Sequence, residues 1–138
     1  MLLVPTRIAP SKIHGIGLFA ANSIKKGTFV WRFAPEIDIL LTPAILERLS
    51  PVAHEQVMMY AYHDNKTNEF VLCGDDARFM NHFKGANVSD NPDNPHESFA
   101  VKDISAGEEL TCDYYSFDLL AERHLNRIRK NKTTAAGI

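Results

Sequence analysis

The chain has 138 residues, 45% hydrophobic and 23% charged, with a formal net charge of -2. That size and balance predict one globular domain with a single core, and they give no general reason for binding nucleic acid or an anionic membrane. Cys73 and Cys112 are the two cysteines, far apart and outside any CxxC or Cys/His spacing. They make no structural zinc motif and are expected as buried reduced thiols of an intracellular, cytoplasmic protein.

Met1-Leu2-Leu3-Val4 is apolar, but Pro5, Thr6 and Arg7 cut the run far short of a signal segment or membrane span. Residues 7–20 predict strand, turn and strand. Ser11, Lys12, His14 and Gly15 supply the turn, while Ile13, Ile16, Leu18 and Phe19 supply the apolar positions. Gly15 and Gly17 allow a ligand close to the backbone, since neither carries a Cβ. The pair is no dinucleotide fingerprint, because no third glycine and no helix pattern follow.

A turn over residues 22–27 feeds a strand over 28–33. Its Ile24-x-x-Gly27 pattern returns as Ile104-x-x-Gly107, two similar corners that each want a glycine. Thr42-Pro43 and Ser50-Pro51 are helix starts, with Ile45, Leu46 and Leu49 on the first apolar face and the second helix running to Met58 or Met59. Tyr60-Ala61-Tyr62 and residues 69–72 flank the turn formers Asp64, Asn65 and Asn68, which predicts a hairpin.

Residues 78–87 start as a short helical or extended turn and end in loop. Asn91-Pro92 and Asn94-Pro95 predict surface loop over 87–95, followed by strands over 97–104 and 108–114. Asp118 is a candidate N-cap for a helix carrying Ala121, Leu125 and Ile128 on one face. The basic set Arg123, Arg127, Arg129, Lys130 and Lys132 is expected as a solvated face, and residues 133–138 as a disordered end.

Three blocks stand out together: His14-Gly15-Ile16-Gly17, Arg78-Phe79-Met80-Asn81-His82, and Gly107-Glu108-Glu109-Leu110-Thr111-Cys112-Asp113-Tyr114-Tyr115. In that order they resemble the SET-domain family of protein lysine methyltransferases, over about residues 7–117. The resemblance implies a mainly β fold with short helices, in which small sheets of the β-clip kind enclose a knot-like crossing. Residues 1–117 would form that domain and 118–138 a C-terminal helix with a flexible basic tail.

The resemblance also implies S-adenosylmethionine as cofactor, no metal, and a lysine-containing protein as substrate. The cofactor would be held by His14, Gly15, Ile16, Gly17, Tyr60, Asn81, His82 and Phe117. Tyr114 would be the catalytic residue, with Tyr62, Cys112 and Tyr115 along the lysine channel. Cys112 stands where relatives often carry phenylalanine or tyrosine, so its smaller side chain leaves room for di- or trimethylation.

Two departures qualify the likeness. Phe83-Lys84-Gly85-Ala86 replaces the usual Ser-Cys-x-Pro after Asn-His, leaving only Asn87 of that run. The family's cysteine-rich flanking segments have no counterpart, so channel closure would fall to the C-terminal helix, to the second copy of a homodimer, or to the arriving substrate. The altered loop also motivates an alternative: a SET-like module without turnover, acting in protein binding or cofactor sensing.

Overall fold

The computed structural model describes residues 1–136. In chain order its elements are β1 (Thr6–Pro10), β2 (Ile16–Ala20), β3 (Phe29–Arg32), β4 (Ile39–Leu41), α1 (Pro43–Glu47), α2 (Pro51–Tyr60), β5 (Tyr62–His63) and β6 (Phe70–Leu72). A 3-10 turn (Asp76–Phe79), β7 (Asn81–His82), β8 (Val88–Asn91), β9 (Asn94–Ala100), β10 (Glu109–Cys112), α3 (Tyr114–Phe117) and α4 (Ala121–Ala136) follow. The strands make three small sheets, ordered β1-β2-β10-β7, β3-β9-β8 and β4-β6-β5. None of the helices is long and apolar enough to cross a membrane among the described residues.

Period-two patterning builds the core. Leu18 and Leu110 are cross-strand partners in the first sheet, and both are fully buried. Val30, Val88 and Ala100 of the second sheet pack on them together with Ala20, Ile24 and Ile104. Each of the leucine, isoleucine and valine side chains contributes about 1.5–3 kcal/mol by leaving water. The two echoing corners meet here: Ile24 and Ile104 exchange backbone hydrogen bonds of 2.8 Å in both directions. Gly27 (φ 87) and Gly107 (φ 84) turn the chain at each corner in the left-handed region, where a Cβ is costly.

Both proline-started helices form as expected, with the Thr42 and Ser50 hydroxyls accepting from Ile45 N and Ala53 N. The β5–β6 hairpin forms as well, with Tyr62 opposite Val71. Residues 87–95 are a correction. Instead of loop they are β8, a tight turn at Pro92 and Asp93, and the start of β9, with Asn91 opposite Asn94. Pro92 fits the turn with its fixed φ, and Pro95 lies beside a register shift near the strand start, where no ladder N–H is needed. A second correction is the end of the chain: residues 133–136 continue α4 rather than fray, and the rest of the expected disordered end lies outside the described residues.

The crossing that positions the site lies between β7 and β10. These strands run parallel, with Asn81 beside Thr111 and His82 beside Cys112. Beyond β10 the chain zips onto β5: His63 N donates to Asp118 Oδ1 at 3.0 Å and Leu119 N to His63 O at 2.8 Å. Residues 81–82 are thus paired with β10 on one side of this crossing, and the chain after β10 is bonded to β5.

Candidate active site

A cavity of about 440 Å³ opens beside this crossing. Its floor is Met80, Asn81, Cys112 and Tyr114, and its aromatic wall is Tyr60, Tyr62, Phe79 and Phe117. The β1–β2 turn contributes His14, Gly15 and Ile16, and α4 faces that turn with His124, Arg127, Ile128 and Asn131. The size lies within the range of about 300–1,000 Å³ usual for small-molecule sites.

Asn81 holds the turn in place. Its side-chain nitrogen donates toward His14 O (3.0 Å), Ile16 O (3.2 Å) and Glu109 Oε1 (3.0 Å). Glu109 in turn accepts from the Ser11 hydroxyl at 2.8 and 2.9 Å. A Cβ at Gly17 would come within 2.3 Å of Glu109 Oε1, so this glycine exists for the carboxylate beneath it. Gly17 therefore braces the turn from behind and is not itself part of the cavity wall. Neither Glu109 nor Ser11 was singled out by sequence. Their partners are too distant in sequence to be read there, 28 positions apart for Asn81 and Glu109 and 98 for Ser11 and Glu109.

His82 also lies off the wall. Its Nδ1 accepts the backbone N–H of Tyr114 at 3.1 Å, so the ring fixes the residue that follows β10 and Asp113. Tyr114 is half-buried and donates its hydroxyl to Met80 O at 2.8 Å. Burial, with the nearby Cys112 and Asp118, pushes its pKa upward, so the phenol stays protonated. Having given its proton to Met80, the oxygen has only lone pairs to offer. That polarity suits an amine N–H or an electron-poor C–H.

Tyr62 and Phe117 meet edge to face at 5.1 Å, and Tyr60 meets Phe79 likewise at 5.9 Å. Burial raises the pKa of Tyr62 and of Cys112, and pushes that of Cys73 up to about 12. This end of the cavity is a poor solvent for charge. Tyr115 points elsewhere: it is 49% exposed, its hydroxyl bonds Glu122, and its ring touches His82. The expected channel role of Tyr115 has no support in this placement.

The departure after His82 is a surface turn. Phe83 is exposed and folds over Gly85, whose carbonyl accepts from Lys102 Nζ at 3.1 Å. No residue of 83–86 lines the cavity. Asn87 returns inward, accepting from Thr111 N (2.9 Å) and donating to Glu109 O (2.8 Å), and so holds β10.

The family model described as the SET domain matches residues 15–115. This chain belongs to the SET-domain family. The domain is 31% identical over 122 residues to the histone-lysine N-methyltransferase trr of Drosophila melanogaster, covering 85% of this chain and 5% of that protein. It is 28% identical over 125 residues to the human histone-lysine N-methyltransferase 2D, again 85% of this chain but 2% of the relative. The chain thus spans a small fraction of the curated relatives it matches.

Among solved structures, this SET domain is similar to ctPRC2 in an autoinhibited conformation bound to S-adenosylmethionine. The TM-score is 0.61 at 25% identity, covering 91% of this chain and 17% of that one. It is also similar to the Neurospora SET-domain protein DIM-5, with a TM-score of 0.55 at 25% identity, over 82% of this chain and 53% of that one.

The cavity suits the cofactor that the family uses. Aromatic faces accept a purine, the backbone of the His14–Ile16 turn is open to an amino-acid end, and Arg127 offers a cation to a carboxylate.

Proposed function

We propose that this SET domain transfers a methyl group from S-adenosylmethionine to the side-chain amine of lysine in a protein. The observation that carries the reading is the half-buried Tyr114 hydroxyl, committed as donor to Met80 O and lining the cavity with its acceptor side free. When bound, the cofactor supplies an electrophilic methyl on a sulfonium. His14, Gly15, Ile16 and Asn81 would hold its amino-acid end, with Tyr60 and Phe117 as apolar walls. His82 and Gly17 act behind them as positioning residues.

Tyr114 has two tasks. It accepts an N–H of the incoming lysine, which aims the nitrogen lone pair, and it favours the electron-poor methyl as charge moves in the transition state. Both are effects of position and fixed polarity and need no covalent intermediate. Tyr62 and Cys112 frame the amine. The desolvation that raises their own pKa values also favours the neutral, nucleophilic amine over an entering ammonium, while Asp90, which adds to both shifts, acts the other way on a cation.

Channel closure is assigned to α4. Four of its side chains line the cavity, and Lys132 Nζ reaches across to Ile13 O at 2.9 Å. Closure then needs no second copy of the chain, and the homodimer loses its chief motive. A module without turnover is also disfavoured, because the altered 83–86 loop that suggested it lies away from the cavity. The test is incubation with methyl-labelled S-adenosylmethionine and a panel of basic proteins that includes histones. Label should appear in protein as methyllysine; no label in any protein, despite cofactor binding, would favour the sensor instead.

A further inference from the structure

We propose that Arg127 of α4 is the cofactor-binding cation, pairing with the amino-acid carboxylate of S-adenosylmethionine and bolting the helix over the occupied cavity. The inference rests on the proposed function and extends it to a helix outside the three blocks that carry the family resemblance.

Four groups in the wall are able to carry positive charge: His14, Arg78, His124 and Arg127. Three are spent. Arg78 gives Nε and an Nη to Cys73 O at 3.2 and 2.8 Å, and its guanidinium lies over the Tyr60 ring. His124 is held by Asp118 and the Met58 carbonyl. His14 is pushed toward its neutral form by burial and by Lys132 beside it. Arg127 makes no ion pair and no hydrogen bond among the described residues, although it lines the cavity.

Its place along the helix fits the ligand's polarity. Arg127, Ile128 and Asn131 share one face of α4, and the next residue, Lys132, is anchored on the β1–β2 turn. Arg127, solvent-exposed on α4, and the His14–Ile16 turn thus line one cavity, and at the turn backbone rather than aromatic wall is on offer. A carboxylate there receives two parallel N–H donors, the arrangement in which arginine exceeds lysine. The one acid in the wall, Asp118, is occupied by His124, His63 N and Leu120 N and does not compete for Arg127.

Calorimetry with S-adenosylmethionine and with its decarboxylated analogue, on wild type and Arg127→Gln, tests the pairing. Wild type should bind the decarboxylated compound roughly 10- to 100-fold more weakly, as expected for loss of a charge-assisted bond. Arg127→Gln should weaken S-adenosylmethionine by a similar factor and leave the analogue unchanged, and Arg127→Lys should recover only part of the loss. Tryptic cleavage within α4 should slow when wild type is saturated with S-adenosylmethionine, but not when Arg127→Gln is. If wild type binds S-adenosylmethionine and Arg127→Gln binds it equally well, the pairing is wrong while the proposed function stands. If wild type binds neither compound at millimolar concentration, both fall together.

Discussion

His124 is paired with Asp118 at the start of α4, its Nδ1 2.8 Å from the carboxylate, while its Nε2 lies 3.1 Å from Met58 O. Both ring nitrogens face acceptors, so both must donate, and the imidazolium is the form that satisfies the site. Burial opposes the charge. The bond and charge of Asp118, helped by Met58 O, outweigh it and hold His124 above the ordinary histidine value, with Arg123 working the other way.

The pH dependence follows from that sign. A histidine raised on folding stabilises fully below its unfolded value of about 6.5 and loses its contribution as pH rises through the higher folded value. Docking of α4 should therefore weaken as pH rises above 6.5 through that folded value, seen as faster amide exchange in α4. His124→Ala should cost about 1.5–3 kcal/mol and flatten the profile. An unchanged profile in that variant would assign the titration elsewhere.

The brace behind the β1–β2 turn is testable by a double mutant. Gly17→Ala drives a methyl into Glu109 and should cost about 1–3 kcal/mol, with weaker cofactor binding. In a Glu109→Ala background the space is vacated and the same change should cost far less, leaving a coupling above about 0.5 kcal/mol. Additive losses in melting experiments would show that the two side chains do not oppose each other.

Deleting residues from Ala121 onward removes the helical wall, with the buried Ala121 and Leu125, but the buried cluster between the first two sheets draws nothing from α4. Circular dichroism should retain the strand signal while cofactor binding and turnover fall to background. Full activity in the truncated protein would return closure to a second copy or to the substrate.

Much of this site was legible in the sequence because its chemistry sits in short blocks. The turn at His14–Ile16, the Asn81-His82 pair and Tyr114 are local patterns, and the helices announced themselves through Thr42-Pro43 and Ser50-Pro51. What stayed hidden depends on tertiary placement. The β8–β9 hairpin was masked by Pro92 and Pro95, which argue for loop when the turn between them and its register shift are unknown. In α4 the basic residues suggested a solvated face. His124, Arg127, Ile128 and Asn131 do recur at helical spacing, but only the fold reveals that this stripe faces a cavity rather than water. Glu109 and Ser11 escaped for the same reason, being distant in sequence and joined only by the sheet.

The most direct measurement is methyl transfer by Tyr114→Phe beside Tyr115→Phe. Phenylalanine keeps the ring contacts with His82 and Phe117 but removes the hydroxyl bonded to Met80 O. That lost bond should cost only about 0.5–1.5 kcal/mol in stability. A polar group used chiefly in the transition state lowers kcat with little change in cofactor affinity. The account predicts a fall of about 10²–10³ in rate for Tyr114→Phe, with S-adenosylmethionine still bound. Tyr115→Phe, whose hydroxyl meets Glu122 outside the cavity, should stay near wild type. Near wild-type turnover in Tyr114→Phe, measured on folded and cofactor-loaded protein, would contradict the mechanism.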